Sequence, residues 1–91
     1  MVVFVMENVP EKLRGELTRW MLEVKAGVLI GNMRATVRTS LWQKVKEGGG
    51  EGSALLIYSF DSEQGFNVEM IGDPNRSVVY LEGINLISTK V

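Results

Sequence analysis

Hydrophobic and polar positions change their period several times along this chain, and each change marks an element. Val2–Met6 is apolar at every position and rich in β-branched residues, the pattern of a strand covered on both faces. Asn8-Val9-Pro10-Glu11 reads as a helix start, with Pro10 in the first turn and Glu11 facing the positive end of the helix dipole. Leu13, Leu17, Trp20, Met21 and Val24 then recur at helical spacing, predicting one buried stripe on a helix over residues 10–24. Gly27 closes that unit, Val28–Ile30 reads as a short strand, and Gly31-Asn32 breaks it. A second helix is predicted from Arg34 to Glu47, with Asn32 as a cap and Gly48-Gly49-Gly50 as the stop. Its stripe is Val37, Leu41 and Val45, with Trp42 beside it. Ser53–Phe60 and Gly65–Ile71 read as strands around an Asp61–Gln64 turn, and Val78–Leu81 and Leu86–Ile87 as short strands flanking Gly83.

Two helices interleaved with strands, then a run of hairpins, predict a two-layer α+β sandwich. A ferredoxin-like core with additional C-terminal strands fits that order, as a single domain over residues 1–91 in which 78–91 supply the extra strands. One conflict is visible. Such a core needs two adjacent strands between its helices, and only one clear run stands there unless Lys25–Ile30 is split or the register is unusual.

Composition narrows the chemistry. Ninety-one residues, 45% of them hydrophobic, can fold but leave a small core, so pairing with a second copy is expected. The absence of cysteine excludes disulfides and thiol nucleophiles, and the absence of histidine removes the commonest general base and transition-metal ligand. Any catalysis would rest on carboxylates and a hard cation such as Mg²⁺. No apolar run approaches a membrane span, and Met1–Met6 has no basic leader, so the expectation is a cytoplasmic protein with no membrane partner.

A net charge of −1 hides an asymmetry. Residues 12–46 hold eight bases against Glu16 and Glu23, whereas the remainder holds Arg76 and Lys90 against nine acids. A polyanion feels the local field, so the basic segment is a candidate phosphate surface. The competing reading is a pair of solvated helices with Lys12–Glu16 and Arg19–Glu23 ion pairs at i,i+4 spacing. On a helix, Lys12 and Arg19 share one flank and Arg14 and Lys25 the other, with Arg34 and Arg38 one turn apart on the second helix. Such a scatter suits contacts to phosphate, not to base edges.

Glu7 directly follows the first strand, where its carboxylate emerges beside a helix start. Paired across a two-fold axis it is a candidate Mg²⁺ ligand and catalytic residue of a metal-assisted phosphodiesterase; alone, it caps or solvates the helix. Gly48–Gly52 follows a helix and lacks the Lys and Ser/Thr of a phosphate loop, so it reads as a flexible stop. Trp20 and Trp42 lie on or beside apolar stripes and are expected in the core or a dimer contact. A small-metabolite site at a dimer interface is a third possibility that the fold permits.

Glu7-Asn8-Val9-Pro10, Leu13-Arg14-Gly15, Trp20, Leu22-Glu23-Val24, Ala26-Gly27-Val28 and Gly31 form a long ungapped block, followed by Trp42, Glu63-Gln64-Gly65-Phe66, Asn75-Arg76 and Leu81-Glu82-Gly83. This pattern resembles the CRISPR-associated small spacer-acquisition subunit, a ferredoxin-like endoribonuclease family, in the subtype encoded beside Cascade-type complexes. The resemblance implies a homodimer between two dimers of the CRISPR integrase, supporting protospacer duplex DNA through its backbone while the integrase supplies the chemistry. It implies nucleic-acid contacts at Lys12, Arg14 and Arg76, with Lys25 and Arg38 beside them, and integrase contacts at Glu63 and Glu82. Relatives described as metal-dependent nucleases carry an aspartate after the first strand, and Glu7 occupies that position here. Glu16, Thr36 and Asn75 stand where a relative carries a base.

Overall fold

A computed structural model describes residues 1–90 and orders the chain as β1 (Val2–Glu7), α1 (Glu11–Leu17), β2 (Leu22–Lys25), β3 (Val28–Gly31), α2 (Ala35–Gly48), β4 (Ser53–Ser59), β5 (Phe66–Ile71), β6 (Arg76–Leu81) and β7 (Ile84–Thr89). Five strands form one antiparallel sheet in the order β2-β3-β1-β4-β5, and β6-β7 form a separate hairpin. Strands β1 and β2 are each antiparallel to the β3 between them, and β3 and β4 to the β1 between them. Two split β-α-β units with both helices on one face are the ferredoxin-like α+β sandwich that the element order predicts.

The strand missing from the sequence pattern is β2, and it comes out of the predicted first helix. That helix was expected over residues 10–24 but ends at Leu17, where the backbone N–H groups of Trp20 and Met21 both turn onto the Leu17 carbonyl. Two local features weaken it: Gly15 in its middle and the β-branched Val24 beyond. Pairing does the rest, because Leu22 and Glu23 lie opposite Ile30 and Leu29 on β3. Gly27 makes the two-residue turn possible. It has φ +79°, and a Cβ there would collide with the Met6 carbonyl oxygen. Its own carbonyl accepts from Met6 N–H at 2.7 Å.

The helical stripe survives only in part. Leu13, Leu17 and Met21 are buried, but Trp20 and Val24 are 56% and 52% exposed, so Trp20 is not a core residue of this chain. Trp42 is, meeting Phe4 edge-on with ring centroids 5.9 Å apart. Asn32 does not cap α2; the N-cap is Arg34, and no side chain accepts from the first turn.

Strand β1 was expected to be covered on both faces, and the chain covers one. Val2, Phe4 and Met6 are buried beneath the helices with Leu29, Ala54 and Leu56 of the flanking strands. Val3 and Val5 point the other way with their register partners Ile30, Val28, Ile57 and Leu55, all only half-buried. The hairpin β6-β7, longer than the short strands expected at 78–81 and 86–87, is exposed along most of its length. One tie holds its far end. Gln64 accepts from Asn85 N–H at 2.7 Å and donates to the Asn85 carbonyl at 3.1 Å, while the Asn85 amide reaches the Phe66 carbonyl and Asn67. Val91, the end of the predicted C-terminal strands, lies outside the described residues.

Candidate nucleic-acid interface

Strand direction sorts the candidate residues. Because β1 and β2 are parallel, Glu7 and Lys25, the last residues of each, lie at the same end of the sheet. Asn8, in the left-handed region at φ 54°, turns the chain sharply there, so α1 begins beside Glu7 and Lys12 falls in its first turn. Arg76 opens β6 at this end too, lining a shallow hollow with Glu7, Ser53 and Asp73. Three of the five proposed phosphate contacts, Lys12, Lys25 and Arg76, therefore lie at the Glu7 end of the sheet, and all three are exposed. The spacing needed to see this lay in the topology, since residues 7, 25 and 76 share nothing local.

Arg14 and Arg38 stand apart. Arg14 is half-buried, with its Nε unpartnered and 3.9 Å from the Glu23 carboxylate, which also accepts from Gly27 N–H at 3.0 Å. Its charge is thus shared with β2 before any ligand arrives. Arg38 lies in the first part of α2, over the ring of Tyr58. Tyr58 is opposite Val2 on β1, whereas Glu7 is opposite Ser53. Five residues of strand, about 17 Å, separate the two positions, so Arg38 belongs to the far end of the sheet.

The expected intrahelical ion pairs do not form. Arg19 and Lys25 lie outside α1, so the helical flanks drawn for them do not exist. Glu23 pairs with Arg14 and not Arg19; Glu16 pairs with Lys44 of α2 at 3.6 Å and not with Lys12. Both acids of the basic segment are thereby engaged, leaving Lys12, Arg19, Lys25, Arg34, Arg38 and Lys46 without an ion pair among the described residues. The Glu7 end is not purely basic, since α1 brings Glu11 there and the end of α2 and the turn after it bring Glu47 and Glu51. Binding at this end would be a set of point contacts and not a broad positive field.

The profile of the CRISPR-associated protein family Cas_Cas2CT1978 matches residues 1–86. The chain belongs to that family. The match runs from β1 into β7, so it includes the Glu7 end of the sheet, both helices and most of the hairpin. It places the protein in the CRISPR system.

Glu63 and Glu82, the candidate partner contacts, lie in the β4–β5 and β6–β7 turns, both exposed. The Gln64–Asn85 tie brings these turns side by side, at the opposite end of the sheet from Glu7. As a metal centre the Glu7 hollow is poorly furnished. Among the described residues lining it Asp73 is the only other carboxylate, its Oδ1 already accepts from Asn75 N–H at 2.9 Å, and the Arg76 cation shares the hollow. Among the described residues no three potential ligands cluster. One chain's residues do not fit a resident Mg²⁺, and no catalytic step follows from them. No helix among the described residues is long and apolar enough to cross a membrane.

Proposed function

We propose that this protein acts in CRISPR adaptation, as a homodimeric scaffold that holds protospacer duplex DNA for the CRISPR integrase, in the Cascade-associated subtype. Family membership supports the setting, and the observation that carries the role is the placement of Lys12, Lys25 and Arg76 at one end of the sheet. The half-buried apolar face of that sheet supports dimerisation, because a second copy is the simplest partner with a matching face. Two such sheets stacked face to face, with the two-fold axis along the strands, bring both Glu7 ends to one side. Six cations then line a surface long enough for a duplex, and the bases are not read. The integrase would meet the paired Glu63 and Glu82 turns and the open hairpin edges.

The test is a duplex-binding titration across salt with the purified dimer. Six phosphate contacts predict a log–log slope of about −5, and Arg76→Gln, lost twice per dimer, flattens it by about 2. A dimer that binds no duplex, or binds with a slope unmoved by Arg76→Gln, refutes the role. A second reading, a Mg²⁺-dependent nuclease acting on RNA or DNA, has in its favour only the exposure of Glu7 and its place beside Asp73. Glu7→Gln discriminates: as a scaffold the variant sustains spacer acquisition, and as a nuclease it loses Mg²⁺-dependent cleavage.

A further inference from the structure

Arg38 lies away from the cations at the Glu7 end, and its surroundings are of another kind. Its guanidinium carbon is 3.7 Å from the centroid of the Tyr58 ring, a stacked cation–π contact. Tyr58 is itself fixed. Phe60 meets it edge-on at 6.5 Å between centroids and 81° between planes, and the Asn67 amide donates to its hydroxyl at 3.5 Å. Arg38 and Tyr58 are both half-buried, and no carboxylate among the described residues pairs with Arg38.

A guanidinium stacked by its face keeps its N–H donors in the plane, free at their edges. That geometry takes a phosphate through two parallel hydrogen bonds, and a lysine cannot reproduce it. The stack also orders a long side chain before a ligand arrives, so less rotamer freedom is lost on binding. Plain packing would be served as well by an aliphatic chain on the ring, and would leave no unpaired charge held in one orientation.

We propose that Tyr58 is the positioning residue of a phosphate contact made by Arg38 at the far end of the sheet. This rests on the duplex-binding reading above, in which the resemblance already implies a contact at Arg38, and adds to it the residue that holds that guanidinium in place away from the Glu7 end.

The experiment pairs two readouts on the full chain: the Arg38 Nε–H resonance of the free protein by NMR, and duplex affinity across salt. In the wild type the ring current of Tyr58 displaces the resonance. Tyr58→Phe keeps both the displacement and the affinity; Tyr58→Leu abolishes the displacement. Tyr58→Leu and Arg38→Lys each weaken binding by about two- to five-fold per site, the range of an exposed cation–π contact, although no charge is lost. Arg38→Gln loses more and flattens the salt slope by about one unit per copy. On the Arg38→Gln background, Tyr58→Leu adds nothing. Arg38→Lys, which keeps the charge and most of the aliphatic stem, keeps the test decisive should Tyr58→Leu not fold. Wild-type affinity in Arg38→Lys alongside weakened Arg38→Gln means charge without positioning, and overturns the proposal. Equal binding by the wild type and Arg38→Gln makes the stack internal packing, and overturns it while the scaffold reading stands. A wild type that binds no duplex removes both.

Discussion

Ile57 is the most informative single position for the proposed dimer. It lies on the open face of β4, between Val3 of β1 and Val68 of β5, and is half-buried within one chain. Fully burying an isoleucine is worth about 1.5–3 kcal/mol, so a partner sheet that covers the exposed half adds about 1 kcal/mol per copy. A two-fold interface counts each side chain twice. Ile57→Ala is therefore expected to weaken dimerisation by about 2 kcal/mol, roughly thirty-fold in Kd, before any cavity cost. Ile57→Glu does more, because it adds desolvation of two like charges near the axis, and should leave monomers at micromolar concentration. Neither change should unfold the chain, since the helix-facing residues Phe4, Leu29 and Leu56 are untouched. Sedimentation equilibrium measures the constant directly, with Thr39→Glu on the exposed side of α2 as the control. If Ile57→Glu sediments as wild-type dimer, the sheet face is not the interface and the common surface at the Glu7 end has no basis.

Two further predictions concern the frame around the site. Gly27→Ala combines a residue forced to φ +79° with a collision against the Met6 backbone. It should cost about 2–4 kcal/mol and lower Tm by 10 °C or more, roughly, in a domain this size; Gly50→Ala, at φ +60° in open space, should cost less than half as much in the same thermal melt. Gln64→Ala removes the tie to Asn85, so amide exchange in β6–β7 should accelerate while β1 and β4 keep their protection. Unchanged hairpin exchange would show that the tie does not hold the β6–β7 hairpin.

Much of this fold was legible in the chain because its signals are local. The β1 run, the Pro10 start, the glycine stop after α2 and the hairpin turns all lie where the hydrophobic pattern and turn residues put them. The first helix was misread because residues 13–24 satisfy helical periodicity, while the force that makes 22–25 a strand is pairing with β3, which no local window contains. The same blindness affected the charges. Spacing suggested Lys12–Glu16 and Arg19–Glu23, yet the acids found Lys44 and Arg14 across element boundaries. The candidate bases were named individually from a resemblance, but only the parallel course of β1 and β2 shows that Lys12 and Lys25 share an end of the sheet with Arg76 while Arg38 does not. The Arg38–Tyr58 stack joins two elements twenty residues apart, and nothing in the sequence marks it.

The alternation along β1 ties these observations together. Its even positions, Val2, Phe4 and Met6, face the helices and define the fold; its odd positions, Val3 and Val5, face a surface that no helix covers. A soluble antiparallel sheet with one solvated face ordinarily places polar residues there. This one instead carries valine, isoleucine and leucine through all three central strands. The unbroken apolar run is wasteful for a monomer and natural for a strand between two layers of which the chain itself provides one. The register then continues into function, because the next odd position after Val5 is Glu7, the first residue beyond the apolar face. A cover that ends where Glu7 begins leaves that carboxylate and the neighbouring Lys12, Lys25 and Arg76 at the rim of the interface, wet and accessible. In the proposed scaffold, dimerisation and phosphate contact would have one cause: the surface that one copy leaves half-buried is what would align the cations of two.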